Sequence, residues 1–524
     1  MRDITRHAAD LLEQAQGGHA AEVLEHVGKL LGEPGGDVAC LYFVQSVAHD
    51  MQGDLCAELD SLERMTVAAE REQSLGWLGC AIAARASERL KVGEVDGADY
   101  DLDGVLRDLV AAEGLVVQET EPVAAVNGRV AVAGGYFDLR LYELVGEHYQ
   151  AAYEISAADG QENGNRAMWL SNLAEMLLHW ALELYSIGQV TAAEQHTAAA
   201  EQVAARAAAE ADGPAADVWR EYASLLAACA KADRDAPEAA VEEIERHLAE
   251  LEGQGMSNSL LAYSRPFHGV ALRRTGRPDE ALAVMERAIA TLPADAGLTV
   301  TAATRRTHAV VLADLGSTDA AVGLAYGDTL AAALWQQRQR TLHSVTMMKS
   351  LESLRQRHEQ ASKAADLDAL TAIANRRAFD RTLAQATMRP DEQITVLIID
   401  TDKFKEINDT SGHAAGDAAL QAIARALSAQ VREDDLIARL GGDEFAALLP
   451  GVGVAMAQEI AARMVRAVRD IPDCPATVSV GLASGRAGTL LDMMLRADRA
   501  MYRVKRRGGD GLEKCPDDDV AVAA

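Results

Sequence analysis

The 524-residue sequence has too few cysteines, too few basic residues and too little continuous apolar sequence for several classes of protein. Its six cysteines are scattered without a Cys-x-x-Cys pair, so free thiols in a reducing compartment are expected rather than a disulfide scaffold. A net charge of −30 argues against broad binding of nucleic acid or anionic membrane. No apolar run reaches membrane-spanning length, and the charged helical start is unlike a signal peptide, so we expect a cytoplasmic protein.

Residues 1–333 are rich in Ala, Leu and Glu and low in Pro, which predicts an all-α region. Three stretches resemble the second half of a tetratricopeptide repeat, with a turn glycine followed by spaced small and apolar residues. We therefore expect a tetratricopeptide-like solenoid that senses or binds a protein or small-molecule ligand, with a non-repetitive helical bundle as the alternative. The residues that carry the spacing are Gly276, Ala281, Met285, Ala288 and Pro293, then Gly188, Ala193 and Ala200, and more loosely Gly316 and Ala321.

The stretch "DYDLDG" in this region matches the first half of a calcium-binding loop. Asp99, Asp101 and Asp103 stand at alternate positions, followed by the turn glycine Gly104. The twelfth position, which needs a bidentate Glu, is Val110. An acidic loop that leads into a helix is therefore favoured over a metal site.

Residues 334–365 predict one long linker helix. Apolar residues recur at a and d positions over about three heptads within charged surroundings, which suits a parallel coiled coil between two copies of the chain. A surface helix that packs on its own domain is the alternative. The a and d residues are Met347, Leu351, Leu354, Ala361 and Ala365, with His358 in the remaining position.

Residues 366–512 alternate β-branched apolar runs with amphipathic helices, which predicts an α/β sheet covered by helices. Residues 513–524 predict a flexible acidic tail. The whole chain is therefore expected to be multidomain, with an α-helical N-terminal region, a long linker helix and a C-terminal α/β domain.

The stretch "ARLGGDEFAALLP" places two glycines and two carboxylates between short apolar runs. The pair Gly441 and Gly442 indicates a tight β-hairpin, because glycine takes positive φ at little steric cost. Asp443 and Glu444 then lie side by side at its tip, where their charges repel unless they share a cation. Asp400 ends the apolar strand "EQITVLIID"; if that strand lies beside the hairpin, the three carboxylates form a hard-cation site suited to Mg²⁺.

Such a cation would hold a triphosphate against an acidic protein and lower the pKa of a hydroxyl nucleophile. Lys405, just after the strand, could neutralise charge on a transferring phosphoryl group. Asn408 and Asp417 carry amide and carboxylate groups that could bind the edge of a guanine. Each is an ordinary solvated residue when taken singly, but their order along the chain favours a nucleotide site.

Five motifs in this region resemble the GGDEF domain, the catalytic domain of diguanylate cyclases, in the family's order and spacing. They are "LDALTAIANRRAFD", "DTDKFKEINDTSGHAAGD", "RLGGDEF", "VSVGLA" and "ADRAMYRVK". The resemblance implies a palm-like fold, as in nucleotidyl cyclases and polymerases, and the condensation of two GTP into cyclic di-GMP with release of pyrophosphate. Because each domain of the family carries one GTP, it also implies a homodimer, which the linker coiled coil would hold together.

The resemblance further implies roles for individual residues. Asp400, the backbone carbonyl of Thr401 and Asp443 would hold Mg²⁺ or Mn²⁺, and Asp443 would also act as base for the 3′-hydroxyl. Glu444 would complete the acidic tip, and Lys405 would stabilise the transition state. The remaining substrate contacts implied are Phe404, Asn408, His413, Asp417, Gly441, Gly442 and, at the triphosphate, Lys505.

Arg432 and Asp435 form an Arg-x-x-Asp pair five residues before Gly441, a spacing that marks the family's product-binding inhibitory site. Arginine can bond guanine O6 and N7 in bidentate fashion, and the carboxylate can accept from the guanine N–H groups. Arg463, on the following helix, is expected to supply a second arginine. Feedback inhibition by cyclic di-GMP is thus expected.

Two departures from the family pattern stand out. Ala372 and Ile373 replace Gly and Leu, a change conservative in volume, and Gly509 stands where the family commonly has an arginine. One phosphate contact is then missing unless Arg506 or Arg507 supplies it. The alternative to an active enzyme is a receptor that binds GTP or cyclic di-GMP and signals through a protein partner, although such a receptor has no use for a complete metal-binding set.

Overall fold

The computed structural model describes residues 2–32, 38–96, 101–158, 165–212, 216–234, 236–293 and 296–515. The chain divides into two compact units, residues 1–351 and residues 352–524. The division falls within helix Thr318–Ala365, so the limits expected for the linker and the C-terminal domain remain predictions. Asp99 of the acidic loop and residues 516–524 of the expected tail lie outside the described residues.

The first unit is built from α-helices, as its composition predicts. Its helices are α1 Arg2–Gln14, which continues through a π-helical turn at Ala15–His19, α2 Ala20–Leu31, α3 Ala39–Gln52, α4 Leu55–Glu72, α5 Leu75–Asp96, α6 Leu102–Val116, α7 Pro122–Asp138, α8 Tyr142–Ala158, α9 Asn165–Ser186, α10 Val190–Glu210, α11 Ala216–Lys231, α12 Pro237–Gly253, α13 Asn258–Leu261, α14 Ser264–Arg274, α15 Pro278–Ala290, α16 Gly297–Asp314 and the first part of α17 Thr318–Ala365.

The helix–turn–helix pairs follow the predicted spacing in two of three places. Gly276, with φ of 73°, joins α14 to α15, and Ala281 and Met285 are fully buried on the packed face of α15. Gly188 likewise joins α9 to α10, where Ala193 and Ala200 are buried. The third stretch differs, because Ala321 is exposed on α17 rather than packed between helices. Helix pairing is therefore present, while the assignment to a tetratricopeptide repeat remains a prediction.

The acidic loop ends in a helix N-cap. The Asp101 carboxylate accepts a hydrogen bond of 2.8 Å from the backbone N–H of Gly104 at the start of α6 and also pairs with Arg107 at 3.5 Å. An N-cap carboxylate satisfies one of the free N–H groups of the first helical turn and favours the positive end of the helix dipole. Capping therefore accounts for Asp101 without a metal ion.

The second unit contains a six-stranded mixed sheet with helices on both faces. Its strand order is β1-β3-β4-β2-β5-β6, with parallel pairing at β1–β3 and β5–β6 and antiparallel pairing elsewhere. Glu513 and Lys514, expected in the acidic tail, belong to the last strand. The elements are β1 Ala374–Asn375, α18 Arg376–Thr387, β2 Gln393–Asp402, α19 Phe404–Ser411, α20 His413–Ser428, β3 Leu436–Gly441, β4 Glu444–Pro450, α21 Val454–Arg469, β5 Thr477–Arg486, a 3₁₀ turn at Ala487–Thr489, α22 Leu490–Arg506 and β6 Gly511–Lys514.

Strand β2 is buried on both faces, which explains its unbroken apolar sequence. Leu397 and Ile399 belong to the core on one face, with residues of α20 and α21. Val396 and Ile398 belong to the core on the other face, with residues of α18 and α22. Because side chains alternate along a strand, Asp400 projects to the same face as Ile398, toward α22.

The six cysteines are free thiols, as expected; four are buried, Cys474 is partly buried and Cys56 is exposed. Within the described parts of the chain, no helix combines the length and the apolar character that crossing a membrane requires.

Within the first unit, Arg338 fixes α17 to the helices beneath it. Its side chain is fully buried, and the guanidinium forms an ion pair with Glu143 and lies 3.7 Å from a carboxylate oxygen of Glu183. It also lies over the rings of Trp335 and Tyr142, at 4.5 and 5.3 Å from the ring centroids. A buried cation is stable only when it is paired and hydrogen-bonded in this way.

We expect Arg338→Met to lower the free energy of unfolding of the helical unit by about 3 kcal/mol, because it leaves two acidic side chains without their buried partner. Arg340→Met, at an exposed position of the same helix, is the matched control and should change stability by less than about 0.5 kcal/mol. Urea unfolding followed by far-UV circular dichroism measures both. Equal effects of the two substitutions would contradict a stabilising role for the buried pair.

Candidate active site

The pairing of β2 with its two neighbours determines where the acidic residues lie. Asp400 pairs with Glu444 of β4 on one side and with Ser479 of β5 on the other. The end of the buried strand thus lies directly beside the start of β4. The condition set by the sequence, that Asp400 lies next to the glycine hairpin, is met by the backbone.

The hairpin turn is shifted by one residue from the position that the glycine pair suggests. Gly441 pairs with Glu444, so the two-residue loop is Gly442–Asp443, and Glu444 is the first residue of β4 rather than part of the tip. An irregularity in the pairing between Arg439 and Gly441 causes the shift. Gly441 and Gly442 have φ of 150° and 53°, so both glycines do occupy conformations that side chains disfavour.

Four hydrogen bonds from Thr401 and Arg439 hold the hairpin loop in place. The backbone N–H and the side-chain hydroxyl of Thr401 both donate to the carbonyl oxygen of Asp443, at 3.1 and 3.2 Å. The Arg439 guanidinium donates twice to the carbonyl oxygen of Gly442, at 2.9 and 2.8 Å, and pairs with Asp368 at 3.0 Å. Arg439 and Asp368 were not singled out from the sequence, because their contact joins segments 71 residues apart.

The ionised form of Asp400 is disfavoured by its surroundings. Burial, together with the nearby carboxylates of Asp443 and Glu444, raises its pKa to about 6, although the Lys505 ammonium opposes the rise. Lys505 forms an ion pair with Asp400. Carboxylates that repel one another at the end of a strand are a suitable donor set for a hard divalent cation, since oxygen ligands are what Mg²⁺ prefers.

The three carboxylates are close along the backbone but not gathered around one point. Among the described residues, the oxygens of Asp400, Asp443 and Glu444 do not form a set in which all lie within 4.8 Å of one another. Asp400 is buried, Asp443 is partly buried and Glu444 is exposed. A shared ion therefore requires rotation of side chains at the hairpin, which its half-exposed position permits.

Lys505 reaches Asp400 because α22 lies unusually close to the sheet. A Cβ on Gly481 of β5 would lie 2.0 Å from the carbonyl oxygen of Ala497 and 2.2 Å from the amide nitrogen of Met501, both in α22. Only glycine allows this approach. Lys505 follows Met501 by one helical turn and so extends the same face of α22 toward the end of β2.

The remaining predicted substrate residues lie on α19 and at the start of α20. Lys405, His413 and Asp417 are exposed, and Asn408 is partly buried. A Cβ on Gly416 would lie 2.0 Å from the side-chain oxygen of Asn408, and the next nearest residue is Phe404. The glycine thus provides the space in which the Asn408 amide and the Phe404 ring lie. The roles of these residues toward a nucleotide remain predictions.

Residues 365–511 match the family model described as "Diguanylate cyclase, GGDEF domain". The C-terminal unit carries a GGDEF domain.

Named relatives support this assignment. Diguanylate cyclase TpbB of Pseudomonas aeruginosa is 40% identical over 177 residues, which cover 31% of this chain and 41% of TpbB. Diguanylate cyclase DgcM of Escherichia coli K12 is 37% identical over 190 residues, 35% of this chain and 43% of DgcM. The chain thus spans less than half the length of either relative. The solved GGDEF domain of P. aeruginosa TpbB is 39% identical and covers 28% of this chain and 98% of its own, with a TM-score of 0.27.

The Arg-x-x-Asp pair of the GGDEF domain forms a turn between α20 and β3. The Asp435 carboxylate accepts a hydrogen bond of 2.9 Å from the backbone N–H of Arg432, whose side chain is exposed. Arg463 of α21 donates at 2.9 Å to the carbonyl oxygen of Gln430, two residues before Arg432. Both arginines are therefore attached to one short segment at the domain surface.

Ala372, where the family has glycine, has φ of 58°. This left-handed conformation costs a residue with a side chain about 1–2 kcal/mol relative to the right-handed region, so the substitution is conservative in volume but not in backbone conformation. The surrounding turn compensates, because the Asp368 carboxylate accepts from the backbone N–H and hydroxyl of Thr371, at 2.9 and 2.7 Å. Although burial would raise it, these bonds and Arg439 hold the pKa of Asp368 below its usual value.

Asp402 is a buried residue of the GGDEF domain that sequence reasoning missed. Its carboxylate accepts hydrogen bonds from the hydroxyls of Thr477 and Ser479, at 2.8 and 2.6 Å, and from the backbone N–H of Asp510 at 2.8 Å. It thereby ties the loop after α22 to the sheet beside Lys505. The second Asp of "DTDKF", one strand period after Asp400, is the sequence signal that could have identified it.

The same contact explains Gly509. With φ of 81°, a Cβ at this position would lie 2.6 Å from the carboxyl carbon of Asp402, so no side chain fits there without moving that carboxylate. The expected phosphate contact is therefore absent from position 509 for a steric reason. Arg507 is paired with Glu513 at 2.8 Å, whereas Arg506 is exposed and remains the candidate substitute.

We expect Gly509→Ala to destabilise the GGDEF domain by at least about 1 kcal/mol more than Gly508→Ala, as measured by urea unfolding. Both positions have positive φ, 81° and 111°, but a Cβ on Gly508 meets nothing within 4 Å. The neighbouring glycine therefore controls for backbone strain alone. Equal losses would show that the Asp402 carboxylate accommodates the methyl group at no cost.

Proposed function

We propose that the protein is a diguanylate cyclase, which condenses two GTP into cyclic di-GMP with release of pyrophosphate. The observation that carries the proposal is the register of β2 and β4, which sets Asp400 directly opposite Glu444 beside the fixed loop of Asp443. It lies within a GGDEF domain whose named relatives include diguanylate cyclases.

In this mechanism Asp400, the Thr401 carbonyl and Asp443 would hold Mg²⁺ or Mn²⁺. The bound ion supplies Lewis-acid polarisation of the phosphate and a lower pKa for the attacking 3′-hydroxyl. Asp443 accepts the proton of that hydroxyl, because the hairpin loop leaves its carboxylate half-exposed next to the site. Glu444 adds a further acceptor at the strand start.

Two lysines balance the charge of the substrate. Lys505, held beside Asp400 by the close packing of α22, would contact the triphosphate of bound GTP. Lys405 on α19 stabilises negative charge that develops on the transferring phosphoryl group. Placement on two different helices allows the lysines to contact different oxygens.

The guanine is bound by residues of α19 and α20. Asn408 and Asp417 offer the amide and carboxylate groups that match the edge of guanine, and Phe404 and His413 complete the pocket. Gly416 supports this arrangement, since its missing side chain leaves room for the Asn408 amide. The backbone of Gly441 and Gly442 lets the substrate approach the hairpin closely.

Because each GGDEF domain would carry one GTP, the reaction requires two domains to face each other. Met347, Leu351 and Leu354, at heptad positions of α17, are 50, 62 and 60% exposed in the single chain. A parallel coiled coil of two α17 helices would cover this apolar seam. Pairing would also replace a bimolecular encounter with a high effective concentration of the second half-site.

We further propose that the helical N-terminal region is a tetratricopeptide-like sensory module of a cytoplasmic protein, and that it regulates the cyclase through α17. Product feedback would act at Arg432 and Asp435, with Arg463 as the second arginine.

The alternative is a receptor that binds GTP or cyclic di-GMP without turnover. The retained carboxylates at positions 400, 443 and 444 favour catalysis.

Purified protein incubated with GTP and Mg²⁺ should form cyclic di-GMP, identified by mass spectrometry. Asp443→Ala should reduce the rate by about 100-fold or more, because it removes the general base and a metal ligand. Glu459→Ala, at an exposed position of α21, is the matched control and should retain the wild-type rate. If the wild type makes no cyclic dinucleotide at any protein concentration tested, the receptor alternative replaces the proposal.

Arg432→Ala should raise the cyclic di-GMP concentration needed for half-inhibition by about tenfold or more, since it removes a bidentate contact to guanine. Glu433→Ala, the exposed neighbour in the same turn, serves as control and should leave the inhibition curve in place. Initial rates at increasing added product give both curves. Coincident curves for Arg432→Ala and the wild type would rule out this inhibitory site.

A further inference from the structure

A cavity of about 390 Å³ lies in the helical unit, between the end of α9, helix α16 and the first half of α17. Its volume falls within the roughly 300–1,000 Å³ of small-molecule sites in proteins. Small residues on two of these helices leave the space open, among them Ala303 of α16 and Gly323, Gly327 and Ala331 of α17. The reaction proposed above does not use it.

The walls of the cavity are mainly apolar and incompletely covered. Leu298, Leu330 and Leu334 line it and are 50, 45 and 37% exposed. Contiguous apolar surface of this kind commonly marks a binding site. Trp335, which also lines the cavity, adds an aromatic face.

The acidic group at one end of the cavity is already neutralised. Glu183 accepts from Thr299 at 3.0 Å, pairs with Arg140 at 3.2 Å and lies 3.7 Å from Arg338. Its carboxylate therefore has little capacity left to attract a cationic ligand.

Two neighbouring arginines leave unused donor capacity at the lining of the cavity. Arg306 pairs with Asp328 at 3.1 Å, yet its Nε is buried and has no hydrogen-bond partner within the described structure. Arg305 is exposed and has no ion pair to any described residue. That N–H is covered by protein atoms, so a ligand oxygen in the cavity would meet the terminal nitrogens of the Arg306 and Arg305 guanidinium groups. This basic surplus is notable in a chain whose net charge is −30.

We propose that the cavity binds an anionic amphiphile, an alkyl chain that carries one carboxylate head group. The chain covers the leucine and tryptophan wall, and the head group accepts from Arg306 and Arg305. Because α17 forms one wall, the ligand joins this helix to α16 and α9 and thereby stabilises its packing on the helical unit. The regulatory part of the inference rests on the proposed cyclase function; the binding part does not.

Binding is tested on the full chain with decanoate, 1-decanol and decyltrimethylammonium, each below its micelle concentration, by isothermal titration calorimetry. Decanoate should bind at one site, about tenfold or more tighter than decanol, the equivalent of about 1.4 kcal/mol. The cationic analogue should show no saturable binding. Equal affinity for the three compounds, or no decanoate binding, would overturn the proposal.

Matched variants locate the site. Ala331→Leu fills the cavity and should weaken decanoate binding by about tenfold or more, whereas Ala332→Leu, on the exposed neighbouring residue, should change it by less than about twofold. Arg306→Gln should weaken decanoate but not decanol, with Arg340→Gln as control. If Ala331→Leu alters dimerisation in sedimentation velocity and leaves decanoate affinity unchanged, the cavity is an interface between copies of the chain and the inference fails.

The regulatory consequence is measured as a change in cyclic di-GMP formation when decanoate saturates the wild type. The change should be at least about twofold and should disappear in Ala331→Leu. Decanoate binding without any cyclase activity would refute the proposed function and leave the binding inference intact. Cyclase activity that is indifferent to a demonstrably bound ligand would refute the regulatory part alone.

Discussion

The register between β2 and β4 is the constraint on which the site depends. A shift of one residue would send Asp400 to the opposite face of the sheet, away from α22 and its lysine. The packing of β2 opposes this shift, because the side chains of each face fit a separate core. The hydrophobic packing of the strand therefore determines the electrostatics at its end.

Around this strand end, the supporting contacts come from distant parts of the chain. Thr401 and Arg439 hold the hairpin loop through its carbonyl oxygens, while Asp402 holds the loop that follows α22. These contacts fix the backbone of the two loops and leave the side chains of Asp443 and Glu444 at the surface. Asp400, by contrast, is buried and paired with Lys505. The site thus combines a fixed backbone and one buried carboxylate with two carboxylates that can turn toward an ion.

The motifs that could be recognised from sequence are those with local causes. Asp400 at a strand end, the glycine hairpin and the helical character of residues 1–333 all follow from patterns within a few residues. The one-residue shift of the turn depends on an irregular strand pairing at Arg439, which no local pattern predicts. The contact of Asp402 with the loop at Gly509 joins residues 107 positions apart, so no local pattern predicts it either. Ala321 was placed between helices because its spacing fitted, yet α17 leaves it exposed. The cavity was missed because its walls come from three helices whose small residues look like ordinary packing positions.

Gly481 shows that the acidic residues alone do not reveal whether the site of such a domain is intact. The glycine lies on β5, outside the hairpin, and contributes no functional group; its role is the absence of a methyl group where α22 meets the sheet. A protein that kept every carboxylate but carried a larger residue here would hold its lysine-bearing helix farther from the strand. Its acidic residues would look complete while its charge balance was broken, so silent members of such a family can arise from the glycine of the "VSVGLA" motif rather than from a lost carboxylate.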